Sequence, residues 1–101
     1  MAERVTENEI AFAIVQIAMQ QDDGVATLQR CKREIPLHID LSAADRRRSQ
    51  TRPNEPMWHQ LIRNIKSHSD SSGNYICEGY LIHLPRRGYQ VTDAGRRKRR
   101  P

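Results

Sequence analysis

The sequence predicts an α+β domain in which three helices lead into a β-hairpin. Three observations carry this expectation. Apolar residues recur at helical spacing near residues 10–19 and 58–65. Residues 80–84 alternate at period two and run into Pro85-Arg86-Arg87-Gly88, a turn by composition. The chain has 101 residues, 37% of them hydrophobic, which allows one modest core.

In chain order, Thr6-Glu7-Asn8-Glu9 has capping-box form, with a hydroxyl for an orphan N–H and a Glu three residues on to reach back. A first helix is expected over about 7–21, with residues 1–5 frayed. It has two apolar stripes, Ile10, Ala13, Ile14 and Ile17 on one face and Phe12, Val15 and Met19 nearly opposite. Such a helix is either buried on both sides, with the C-terminal tail over it, or uses Phe12, Val15 and Met19 as a homodimer seam. Asp22-Asp23-Gly24 breaks it. A second helix is expected over roughly 25–35, stopped by Pro36. Leu37 to Leu41 alternates and reads as a short strand or an extended connection. Ser42 then offers an N-cap to a short turn.

Arg46-Arg47-Arg48 and Arg52 lie in a polar, mobile loop. Asn54 caps a third helix, 54–68, whose buried side is Trp58, Leu61, Ile62 and Ile65. Its other faces present His59, Gln60, Arg63, Asn64, Lys66 and Ser67. A strand is expected within 75–84, with Tyr80, Ile82 and Leu84 on one face and Leu81 and His83 on the other. The wing, 78–91, carries Arg86 and Arg87 at its tip and returns through Tyr89-Gln90-Val91. The domain is bounded at residues 1–95, and 96–101 is expected to be a basic disordered tail, because its five consecutive cations repel one another.

Net charge is +5 and pI about 9.8. Residues 1–23 hold one arginine against five carboxylates, whereas residues 24–101 hold sixteen basic residues against seven acidic ones. The positive excess thus falls on the helix–hairpin half, where it suits phosphate. Cys31 and Cys77 form neither a disulfide framework nor a zinc motif. No apolar run is long enough to span a bilayer. No glycine-rich phosphate loop, His-Glu-x-x-His or nucleophile elbow occurs. The expectation is a protein that is not an enzyme, with no catalytic residues, metal or cofactor.

Several segments resemble a winged helix-turn-helix domain, and more narrowly the N-terminal winged-helix domain of Mrr-type restriction proteins. They are Leu41-Ser42-Ala43-Ala44-Asp45, Arg52-Pro53-Asn54-Glu55-Pro56-Met57-Trp58, Ile62 to His68, Glu78-Gly79-Tyr80, and Arg87-Gly88-Tyr89-Gln90-Val91-Thr92-Asp93-Ala94-Gly95-Arg96. The resemblance spans about residues 7–96, and its last segment is a wing-strand ending common to the fold. It implies a major-groove helix read through Gln60, Arg63 and Asn64 and a wing that touches the backbone. Those restriction proteins carry a nuclease domain after the winged helix, and only the basic tail follows here, so the resemblance implies DNA binding without cleavage.

The expected partner is double-stranded DNA, with a possible homodimer through the first helix and no membrane. The candidate DNA-binding residues are His59, Gln60, Arg63, Asn64, Lys66, Ser67, Arg46, Arg47, Arg48, Arg52, Arg86, Arg87, Arg96 and Arg97. A small bacterial transcriptional regulator of the cytoplasm and nucleoid fits this pattern best. A nucleoid-associated architectural protein, a protein-interaction module, and RNA or ribosome binding are the alternatives.

Overall fold

The computed structural model describes residues 4–100. In α1 (Glu7–Met19) the Thr6 side chain accepts from the Glu9 N–H, and the Glu9 carboxylate accepts from the Thr6 N–H. Both apolar stripes of α1 are buried except at Met19, and Ala11, Ala13 and Ala18 let neighbouring elements approach closely. The helix packs against α2 (Leu28–His38), α4 (Trp58–Ser67), β1 (Val25–Thr27) and β3 (Gly88–Val91).

The strand β1 replaces the start of the expected second helix. Gly24, at φ +69, turns the chain out of the α1 terminus. The Asp23 side chain then accepts from the Val25 N–H, and Val25, Ala26 and Thr27 pair antiparallel with Gln90, Tyr89 and Gly88. Thr27 is both the last strand residue and the N-cap of α2, accepting from the Arg30 N–H. At its other end α2 runs past Pro36 to His38. Proline there removes only a bond in the final turn, and Ile39 N–H still reaches the Ile35 carbonyl at 3.2 Å. Residues 39–41 form an extended connection rather than a strand, with Ile39 and Leu41 against the core.

The short helix α3 (Ala43–Arg46) has its own capping box, Ser42 with Asp45. Asp45 is 1% exposed and does more than cap. Its carboxylate also accepts from the Val5 N–H at 3.0 Å, which holds residue 5 against the domain rather than frayed. The loop that follows is tied rather than mobile. Arg48 and Pro56 form a β-bridge, Ser49 N–H donates to the Glu55 carbonyl, and Met57 N–H donates to the Arg47 carbonyl. These cross-loop bonds commit the backbone of residues 55–57, so α4 starts at Trp58 and not at Asn54, which is exposed and caps nothing. Trp58, Ile62 and Ile65 are buried and Leu61 is half-buried, as the spacing predicts.

Between α4 and the hairpin the chain makes a turn organised by Asn74, which is 4% exposed. Its amide donates to the Ile65 carbonyl at 2.9 Å, and its oxygen accepts from the Ile76 and Cys77 N–H groups. Residues 75–80 therefore turn instead of extending, and β2 (Leu81–Leu84) is shorter than the expected wing strand. Leu81 is buried and Ile82 is 49% exposed, so the inward face of β2 is the one with Leu81 and His83. The turn between β2 and β3 falls at Pro85–Arg87, as expected, with Arg86 in the left-handed region at φ +66. The result is a mixed α+β domain whose antiparallel sheet has the order β1-β3-β2. Thr92 caps α5 (Asp93–Arg96), so the expected boundary at Gly95 falls inside a helix. The tail lies against the domain, with Lys98 Nζ 5.4 Å from the Tyr80 ring centre and the Arg100 guanidinium 5.3 Å from that of Phe12.

Candidate nucleic-acid interface

Helix α4 and the hairpin are joined by one buried bond. The Tyr89 hydroxyl, on β3, donates to the Ile62 carbonyl of α4 at 2.5 Å. Burial raises the Tyr89 pKa to about 12, so this hydroxyl stays a donor over the whole neutral range. The side of α4 away from the core is polar. Gln60, Lys66 and Ser67 are exposed, and His59, Arg63 and Asn64 are half-buried. Lys66 lies near His83 of β2, whose pKa is lowered by burial and then by the Lys66 charge. A row of polar groups therefore runs from α4 onto the hairpin.

Arg63 is already paired. Its Nη1 donates to Glu55 Oε2 at 2.7 Å, and Lys32 Nζ of α2 lies 3.5 Å from Glu55 Oε1. The hydrogen bond from Arg63 holds the Glu55 carboxyl below its ordinary range. His59 adjoins this cluster. Its pKa is lowered by burial first and by Lys32 second, so the ring is neutral at pH 7, and its Nδ1 is buried without a partner. The ring stands edge-on to Trp58, centroids 4.3 Å apart.

At the hairpin tip Arg86 and Arg87 are exposed and line a shallow groove with Thr27, Leu28 and Gln29 at the start of α2. Arg87 Nη2 approaches Asp23 Oδ2 at 3.7 Å, but both side chains are about 60% exposed, so the pair is weak and solvent-screened. Gly88 allows this tip to exist. At φ +150, a Cβ placed there would fall 2.1 Å from the Ala26 carbonyl oxygen on β1.

No family model, curated protein or solved structure matches this chain. What the surface can bind is read from its own chemistry.

The remaining site residues are scattered. Arg46, at the end of α3, and Arg47, Arg48 and Arg52, along the tied loop that leads into α4, are exposed, and Arg46 Nε donates to the Leu41 carbonyl. Arg96 and Arg97 are exposed beyond the Val91 end of β3, and the Arg96 guanidinium reaches Gly24. The hairpin tip is at the opposite, Gly88, end of that strand, so the two arginine pairs are not brought together. Phe12 (8% exposed) and Val15 (0%) are buried within the single chain, leaving Met19 (38%) as the sole member of that stripe at the surface. The second stripe of α1 thus packs inside one chain and offers no continuous seam.

Sequence reasoning missed Glu55 and Lys32, since Glu55 precedes α4 and its spacing to Arg63 follows no helical rule. Cys31 is buried, and burial pushes its thiol up to about 12, which disfavours the thiolate. Among the described residues no group of three His, Cys, Asp or Glu could hold a metal ion, and no helix is long and apolar enough to cross a membrane.

Proposed function

We propose that this chain binds duplex DNA as a winged helix, with α4 in the major groove and the β2–β3 hairpin against the phosphate backbone. The bond from Tyr89 to the Ile62 carbonyl carries this reading, because it ties the polar helix to the arginine-tipped hairpin. The order of four helices, the third of them a single short turn, with one early strand and then a hairpin, and the sheet order β1-β3-β2 support the resemblance to winged helix-turn-helix domains. Lys66 and Arg86 are exposed and Arg87 is held only by its weak pair with Asp23, so all three can meet phosphate, and Gln60 and Asn64 have the amides that purine edges accept. A small bacterial transcriptional regulator is the role this arrangement fits best.

The test is a salt titration of binding to a mixed pool of duplexes, with the bound fraction sequenced. An enriched motif, with affinity falling steeply as salt rises, is the expected result. Retention without a motif would indicate an architectural role. A second reading, a protein-interaction module, is favoured by the exposure of Leu37 (81%) on α2 and Ile82 on β2. No retention at low salt would put that reading first.

A further inference from the structure

Glu55 is an acid in the middle of a surface assigned to an anionic partner. Its position is fixed by the backbone on both sides. Its N–H donates to the Arg52 carbonyl at 2.9 Å, and its carbonyl accepts from the Ser49 N–H at 2.8 Å. The carboxylate therefore stands on a tied loop, bridging Arg63 of α4 and Lys32 of α2.

A guanidinium offers five N–H donors in a planar fork. Glu55 engages Arg63 through Nη1 alone. The donors on Nη2 and Nε stay available, and pairing with the carboxylate fixes the plane in which they lie. Guanine O6 and N7 are uncharged acceptors suited to such a fork. A phosphate differs, because it carries a full negative charge and must approach the carboxylate to reach Arg63 or Lys32.

Resting on the DNA-binding reading above, we propose that Glu55 is a specificity-determining residue of the α4 surface. It presents the free donors of Arg63 to a guanine edge and keeps phosphate from Arg63 and Lys32. It is a positioning residue and touches no base itself.

The experiment compares wild type with Glu55→Gln on the sequenced duplex pool across a salt series. Gln keeps an oxygen for Arg63 and removes the charge. Glu55→Gln should bind random duplex roughly two- to fivefold tighter, the scale of one exposed ion pair. Its log–log salt slope should steepen by about 1, for one more phosphate engaged. Preference at the guanine position should fall roughly threefold or more. In an Arg63→Ala background the same change should leave the remaining preference unmoved. If Glu55→Gln fails to fold, Arg63→Lys tests the arrangement from the other side. It keeps the charge, lacks the planar fork, and should weaken the guanine preference while holding random duplex as well as before.

Wild type that binds with a motif, beside a Glu55→Gln or Arg63→Lys variant with unchanged preference, would overturn the role of Glu55 and leave DNA binding intact. Wild type that fails to bind duplex at all would overturn the DNA reading and this inference with it.

Discussion

Along α1 both sides carry apolar side chains, Ile10, Ile14 and Ile17 on one and Phe12 and Val15 on the other, and all five are buried. Along α4 only Trp58, Ile62 and Ile65 are buried, while Gln60, Lys66 and Ser67 face solvent. Apolar content alone therefore does not tell whether a helix has a free side. In α1 the second stripe is covered from within the chain, by elements that include the tail carrying Arg100. In α4 the polar side stays open, and a single stripe fixes the helix to the core.

The contrast is sharpest in stability. Ile14→Ala should cost about 2–5 kcal/mol by urea unfolding, the range for a fully buried isoleucine. Val15→Ala, on the other stripe, should also cost more than about 1 kcal/mol. A silent Val15→Ala would mean that the second stripe is free surface after all. Gly88→Ala should cost roughly 3 kcal/mol, since its Cβ would meet the Ala26 carbonyl and the backbone is at φ +150.

Substitutions on the open side of α4 and at the hairpin tip should act mainly on binding, with a stability loss of no more than about 1 kcal/mol where Arg63 leaves Glu55. Arg63→Ala should lose about 1–3 kcal/mol of discrimination in competition binding. Arg86→Ala with Arg87→Ala should weaken binding to all duplexes alike and flatten the log–log salt slope by up to about 2. An equal loss of stability in these variants, read by thermal unfolding, would erase the distinction between the two helices.

The smallest effect is on pH dependence. His59 and His83 have lowered pKa values, from burial first, and Glu55 has one lowered by its bond from Arg63. In each case the unfolded chain takes up its proton at a higher pH than the folded one. Stability is therefore complete above the ordinary histidine value of 6.5 and declines as pH falls below it, with Glu55 adding a loss below 4.5. The Tm at pH 5 should lie below that at pH 7, and His59→Gln should narrow the gap.

Local signals in the sequence were read well. The Thr6–Glu9 box, the buried set of α4 and the turn at Pro85–Gly88 each depend on residues within seven of one another. What was misread depends on distant partners. Val25 to Thr27 looked helical because their strand partners, Gln90 to Gly88, lie near the other end of the chain. The start of α4 was placed early because Asn54 is a good cap in isolation, whereas the bridge between Arg48 and Pro56 decides the matter. At the candidate site the cations were legible by residue type. The carboxylate between Arg63 and Lys32 was not, because a loop and a second helix bring it there.

Trp58 is the only tryptophan in the chain, and it opens α4 with its ring edge-on to His59. The molecule thus carries its own optical reporter at the entrance of the helix assigned to the groove. Its emission should redden when that helix leaves the core. Protonation of the adjacent imidazole should dim it without any such shift in colour. Intensity against pH would then follow the titration of His59, and wavelength against denaturant the seating of α4. Neither needs a label that could disturb the exposed side of α4.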